Sequence, residues 1–538
     1  MKKTGFRIPK RLQKEVASSP SPSSSPQTAE EYVEQGAMDE ESGDRWIGSD
    51  LSKGLRFFQK AYISYSKAIQ LSPKGYLDSY YNACRLLFHV YNNYVKQDGV
   101  NVYTLVNVND AISGSEDAVV QPLGNIVAAH ERAIQIAMNS AISIPLDLLF
   151  NTALVYTEQI EDLQNQIDVP FEEVLNLSSK TQEYFQELLN QQTKSFQKFL
   201  KDLEDIDNED EISTTAIESD SETNEFESEE SLQPNDVYET VISAFKLVQA
   251  TLENMTSSEP YQLESATQLM QPFIISFEET AQELTARFSE TNNTNSMIQS
   301  ISNEQQQEMQ LIKSSIEGLT TNDLERLVSI WNSDTLPISP ERYMCTADNI
   351  QSFLDRNDIN LETISSGQYN PEILWNALSK MTTSYKSAQD LLNLKLQEIK
   401  KTQVSGNDLG VGALIGQISD VVIARSDIDL QRSQIGNYEP AIKNQQILFQ
   451  NCKTFLKSAA NIANTSGGLR ERAAEKLLRE KRKVEAVLRL CVLENKTTIQ
   501  ELDNIIGRQR WVVELPYLSE MGYFKNFGID QIIIPTEF

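Results

Sequence analysis

The sequence predicts an all-α fold: a helical-repeat solenoid with a disordered N-terminal tail and a disordered acidic insert. Three observations predict it. Apolar residues recur at i, i+3, i+4 and i+7, the stripe of an amphipathic helix. Phe57, Ala61, Tyr65, Ala68 and Ile69 share one such face, and Tyr80, Ala83, Leu87, Val90, Tyr91 and Tyr94 share the next. Small and aromatic residues fall at fixed helical offsets in 58–73, where Pro73 closes the segment, and a second helix starts near Tyr81. Helix pairs in series are the grammar of repeat proteins. Gly is sparse, at 21 of 538 residues, which disfavours an all-β or Gly-loop architecture.

Residues 1–28 read as a tail. Lys2, Lys3, Arg7, Lys10, Arg11 and Lys14 precede the first acid, Glu15, and 18–26 is almost all Ser and Pro. Such a composition cannot build a core. The basic cluster reads first as a solvated tail and second as a nuclear-import signal. Residues 29–203 read as helical repeats, with helices at 29–36, 57–73, 80–94, 126–141, 146–160 and 171–203. The first of these is separated from its partner by a long connection. Residues 97–124 form another long connection, strand-like at 100–108 and of a length that suits a functional loop.

The segment 204–234 reads as a disordered acidic insert. Residues 202–230 hold fourteen Asp or Glu and no Lys or Arg. The candidate client-binding acids are Asp205, Asp207, Glu209, Asp210, Glu211, Asp220, Glu222, Glu227, Glu229 and Glu230. Ser219, Ser221 and Ser228 lie beside acids and are candidate phosphorylation sites. Helical patterning resumes over 235–508, with helices at 237–255, 263–288, 297–316, 371–401, 412–433, 439–463 and 469–494. Gly and Pro punctuate them at 257–260, 337–340 and 466–468. Residues 509–538 carry Trp511, Tyr523, Phe527 and Ile532, and are too apolar to lie free in water. They are expected to pack on the body.

Ala61, Tyr65, Ala68 and Pro73, with Ala83 ten residues after the proline, resemble the tetratricopeptide repeat (TPR) family. The resemblance covers one repeat and a half, and extends loosely to 126–160. It implies antiparallel helix pairs that cross closely at small residues, an aromatic in the adjoining groove, and a protein-binding surface. Some members clamp chaperone-tail carboxylates with a Lys three residues before the first-helix Gly and an Asn just after it. Around Gly36 this chain has Val33 and Ala37, and only Asn82 fits the pattern. No carboxylate clamp is therefore expected. The Asn-, Gln- and Ser-rich style resembles that of fungal repeat proteins.

A formal net charge of −30 argues against a general nucleic-acid or anionic-membrane binder and favours a basic protein partner. No run of ~18 apolar residues exists, so no membrane span is expected, and no signal peptide is expected either. Cys84, Cys345, Cys452 and Cys491 are scattered, which suits a reducing compartment, cytoplasmic or nuclear. His89 and His130 read as structural. The Gly410–Gly416 run lacks the Gly-Lys-Ser/Thr ending of a phosphate loop and reads as a helix start. The stretch 469–490 carries Arg470, Arg472, Lys476, Arg479, Lys481, Arg482, Lys483 and Arg489 against four Glu. It reads as a solvated, internally paired face, then as an RNA site or a dock for the acidic insert. No catalytic residue, metal ligand or cofactor site is expected. The expected function is a non-enzymatic protein-interaction adaptor, as an assembly chaperone holding a basic client. The alternative is an architectural subunit of a larger helical complex, and an RNA-associated factor comes third.

Overall fold

A computed structural model describes residues 26–72, 76–140, 143–164, 166, 169–212, 232–255, 260–293, 297–402 and 410–532. The fold is all-α, of helical-repeat type. The described residues hold no strand, only an isolated parallel bridge between Ser289 and Ile301. Two compact units form, one from Met1–Pro122 with Thr321–Phe538 and the other from Leu123–Thr320.

The first unit opens with α1 (Ala29–Ile47). Thr28 accepts from the Glu31 N–H while the Glu31 carboxylate reaches back to the Thr28 N–H, a capping box. Asp50 caps α2 (Leu51–Leu71), accepting from the Lys53 N–H at 2.9 Å. Only Gly48 to Asp50 separate the two, so they pack as an antiparallel pair. The long connection expected after 29–36 is absent, because α1 continues to Ile47 and its partner follows at once. α3 (Leu77–Val90) packs on α2 and widens into a π turn over Tyr91–Val95.

The strand expected at 100–108 is also absent. Val102–Thr104 and Asn109–Ile112 are 3-10 turns, and Val102, Val108, Ala111, Ala118 and Val119 are buried. The Val-rich alternation has no neighbouring strand to pair with; its backbone groups bond to side chains of α2 instead.

The second unit consists of α4 (Leu123–Asn139), α5 (Leu146–Leu163), α6 (Phe171–Ile212), α7 (Pro234–Glu253), α8 (Pro260–Phe288) and α9 (Asn303–Thr320). α7 is its centre. It is buried along most of its length and packs on α5, α6, α8 and α9. α6 passes the expected boundary at Leu203 and runs to Ile212. Phe196 is buried and Phe199, Leu200 and Leu203 are half-buried against the core, so the helical stripe carries the chain into the acidic stretch. Glu is moreover a good helix former. Since α6 and α7 share one core, the acidic segment lies within a unit and does not divide two domains.

The first unit is completed by α10 (Leu324–Trp331), α11 (Pro340–Arg356), α12 (Leu361–Ser365), α13 (Pro371–Thr402), α14 (Val411–Ser433), α15 (Glu439–Ala463), α16 (Ala473–Leu493), α17 (Ile499–Ile505) and α18 (Arg508–Glu520). The Pro-containing stretch read as punctuation opens a helix. Pro340 sits at its first turn, and Ser339 caps it by accepting from the Arg342 N–H. Gly410, at φ +81°, caps α14. A Cβ on Gly412 would lie 2.5 Å from Glu471 Oε1, and one on Gly416 would lie 2.8 Å from Leu478 Cδ2. The glycine run is therefore a helix start whose small residues let α14 approach α16 closely. The C-terminal segment packs on the body as far as Ile532, and residues 533–538 lie outside the described residues. Trp511, Leu515, Leu518, Phe524, Ile529 and Ile532 join the core of α14–α16.

The two chain segments of this unit meet directly. The Ala473 N–H donates to the Gly48 carbonyl at 2.9 Å. Gly99, at φ +84°, lies so close to α16 that a Cβ there would sit 2.5 Å from the Leu478 nitrogen.

Candidate functional site

The repeat-packing residues Ala61, Tyr65 and Ala68 on α2 and Ala83 on α3 are all buried, and Pro73 lies outside the described residues. The approach of α1 to α2, however, uses glycine. A Cβ on Gly36 would lie 2.4 Å from the Tyr65 ring, and one on Gly43 would lie 2.4 Å from the Phe58 ring. Tyr65 and Phe58 of α2 thus seat directly on the backbone of α1.

Between the two glycines sits Glu40, buried and one helical turn from each. Tyr65 Oη donates to Glu40 Oε2 at 2.9 Å, and Arg85 Nη2 donates to the same oxygen at 2.7 Å. One carboxylate thereby joins α1, α2 and α3 in the interior. Burial, reinforced by the Glu40 charge, pushes the Tyr65 phenol well above its ordinary value. Burial alone would lower the Arg85 guanidinium, but Glu40 outweighs it and raises it, so Arg85 stays charged. Sequence reading missed Glu40 and Arg85. The available signal was the stripe Val33, Gly36, Glu40, Gly43 and Ile47, which puts an acid on the face of α1 that meets α2.

The long connection after α3 is laced to α2. Ser52, Arg56, Gln59 and Tyr62 lie on one face of that helix. The Val106 N–H donates to Ser52 Oγ at 3.2 Å, and Arg56 Nη1 donates to the Val106 carbonyl at 3.3 Å. Gln59 Nε2 donates to the Asp117 carbonyl at 2.7 Å, while its Oε1 accepts from the Val119 N–H at 2.8 Å. Tyr62 Oη donates to the Glu116 carbonyl at 3.2 Å. These bonds satisfy backbone groups that a strand would otherwise pair. The loop so held presents Tyr103, 75% exposed, and Val106, 65% exposed. Asp110, Glu116 and Asp117 are exposed on the same loop, and residues 99–122 contain no Lys or Arg.

Its base is anchored electrostatically. Asp98 pairs with Lys481 at 2.7 Å and with Arg482. Burial would raise the Asp98 carboxyl, but Arg482 and Lys481 outweigh it and hold it below the usual range. The basic stretch 469–490 is largely committed inward. Arg479 binds Glu471 and the Ala463 carbonyl, Arg482 also binds Glu485, Lys483 donates to Asn464, and Arg489 holds buried Asp427 at 3.1 Å. The helix begins at Ala473 rather than near 469.

His130 is fully buried with Nδ1 2.8 Å from the Ile126 carbonyl, and burial pushes its pKa down to about 4. His89 lies 3.3 Å from Asp44 and edge-on to Phe58. Among the described residues no group of three or more His, Cys, Asp or Glu could hold a metal ion. Asp205, Asp207, Glu209, Asp210 and Glu211 fall on the last turns of α6. Asp220, Glu222, Glu227, Glu229 and Glu230, with Ser219, Ser221 and Ser228, lie outside the described residues.

Residues 341–515 match the family model of the YNL193W C-terminal domain. That stretch falls within the first unit and takes in α12 to α17 complete. The chain is 25% identical over 508 residues to "Uncharacterized protein YNL193W" of Saccharomyces cerevisiae, an alignment spanning 85% of this chain and 88% of the yeast protein. No solved structure matches the chain. The similarity found is thus to this yeast protein and its C-terminal domain rather than to the tetratricopeptide family.

Proposed function

We propose that the chain is a non-enzymatic protein-interaction adaptor, tetratricopeptide-like in its helix pairing, that holds a basic protein partner in the cytoplasm or nucleus. The observation that carries this reading is the loop laced to α2. It holds an exposed aromatic and an exposed aliphatic residue on a fixed frame, with three exposed acids on the loop and no cation of the loop's own, Arg56 of α2 being spent on the Val106 carbonyl. An anchor of that kind supplies affinity at a small contact, while the surrounding charge selects a basic partner and speeds encounter. The acidic segment that follows α6 would supply counter-charge of its own to a client, as an assembly chaperone requires. Free thiols at Cys84, Cys345, Cys452 and Cys491 suit a reducing compartment. The reading in which α16 binds RNA has less support, since most of its cations already face acids of the same unit.

The test is affinity capture at low and moderate salt with three proteins: the intact chain, Tyr103→Ala with Val106→Ser, and a chain lacking 213–231. The reading expects a basic partner that the loop variant loses at both salts. It expects the deletion to fold normally, bind more weakly and lose most of its salt dependence. Equal capture of acidic subunits by all three, unaffected by salt, would favour an architectural subunit of a larger helical complex.

A further inference from the structure

A second surface, of opposite charge, lies on α15. The helix opens on Glu439, exposed and one turn before Lys443, but the stretch 440–470 that follows contains no acid, in a chain with 77 among 538 residues, and carries Lys443, Lys453, Lys457 and Arg470. The helix is sharply two-faced. Ala441, Leu448, Cys452, Leu456, Ala459 and Ala463 are buried. Lys443, Ile447, Gln450, Thr454 and Lys457, at i, i+4, i+7, i+11 and i+14, are all exposed along the opposite side. Ile447 on this side is 61% exposed. Lys453 lies over the Phe449 ring, and Lys457 is 3.8 Å from Glu494, which also pairs with Lys496 at 2.7 Å. Glu439 and Glu494 thus stand against Lys443, Lys453, Lys457 and Lys496, and the face keeps a net positive charge in a strongly acidic chain.

We propose that this face of α15 docks an acidic, partly apolar segment of a partner protein. Charge complementarity selects the acid, and Ile447 between the lysines calls for an apolar residue between the acids. A protein segment fits better than a nucleic acid or an anionic membrane. The face offers Gln, Thr and Ile where base stacking needs exposed aromatics. A long polyanion would also feel the repulsion of the whole chain, whereas a short segment feels charges within a Debye length of about 10 Å. With the loop on α2 facing a basic partner, the chain would then bridge partners of opposite charge. The α15 proposal stands on separate residues and does not depend on that loop.

The probe is a fluorescein-labelled amphipathic peptide of Glu, Leu and Ala, titrated by anisotropy with the full chain. Saturable binding is expected. Lys443→Glu with Lys457→Glu should weaken it roughly tenfold, as two surface attractions become repulsions. Ile447→Ser should weaken it with no change in salt dependence. Lys194→Glu with Lys198→Glu makes the same change in net charge on exposed positions of α6 and should leave binding within about twofold. Equal weakening by both double variants would reduce the effect to net charge and overturn the proposal. So would tighter binding of single-stranded RNA or of phosphatidylserine vesicles through the same lysines. All these positions are on the surface, so unchanged melting temperatures separate loss of binding from loss of fold.

Discussion

At the scale of single residues, the α1–α2 contact is decided by what is missing from Gly36. Alanine would favour the helix by up to about 1 kcal/mol. Its Cβ, however, would meet a fully buried Tyr65 ring at 2.4 Å, and overpacking costs about 1–3 kcal/mol. Gly36→Ala should therefore lower the melting temperature, whereas Gly48→Ala, where a Cβ meets nothing within 4 Å, should leave it unchanged or raise it. Arg85 gives a sharper test. Arg85→Ala strands the Glu40 carboxylate and should cost about 3–5 kcal/mol by denaturant unfolding. Adding Glu40→Leu should recover much of the loss, because the buried charge goes with its partner. His130 sets a pH dependence in the second unit. Its folded pKa of about 4 lies below the unfolded 6.5. Stability is therefore complete above pH 6.5 and falls as the unfolded state takes up a proton, down to about pH 4. The loss is about 3 kcal/mol at most. Against His130→Leu, the intact chain should lose stability across that window; parallel pH profiles would show that the histidine does not titrate there.

At the scale of elements, α2 does two jobs with two faces. One buries Phe58, Ala61, Tyr65 and Ala68 against its helical neighbours. The other binds the backbone of the 97–122 connection through Ser52, Arg56, Gln59 and Tyr62. Only Gln59 is buried among these four, and it supplies both a donor and an acceptor. Gln59→Ala leaves the Val119 N–H without its acceptor in a buried place, a cost of about 1–3 kcal/mol. The opening should be local, because a loop can unfold below the global free energy. Hydrogen exchange should show faster exchange at Val119, with protection in α1 and α3 unchanged. Uniform loss of protection across α1–α3 would show that the loop and the hairpin form one cooperative unit.

At the scale of the whole molecule, the first unit is built from two stretches of sequence separated by the second unit. Lys481 and Arg482 on Asp98, Ala473 on Gly48, and α16 against Gly99 hold the stretches together. Fragments 26–122 and 321–538, co-expressed, should therefore co-purify as a folded complex. Asp98→Lys should weaken that complex, since it places a third cation beside two. Recovery of each fragment alone, with unchanged helicity, would show that the two segments fold independently.

The sequence alone determined the helices whose apolar stripes are long and whose ends carry clear signals. It placed α15 at 439–463 from periodicity, read the glycine run at 410–416 as a helix start, and read the C-terminal aromatics as packed. Those features are local, and local propensity and pattern settle them. Tertiary structure decided the rest. Glu40 in an acidic run looks solvated until Tyr65 and Arg85 close on it. The Val-rich 100–108 stretch looks like a strand until no partner strand exists and α2 supplies the bonds. The basic face of 469–490 reads as solvated and paired within its own helix until Asp98, distant in sequence, meets it. In each case the deciding partner lies far away in sequence, and neither spacing nor composition carries that distance.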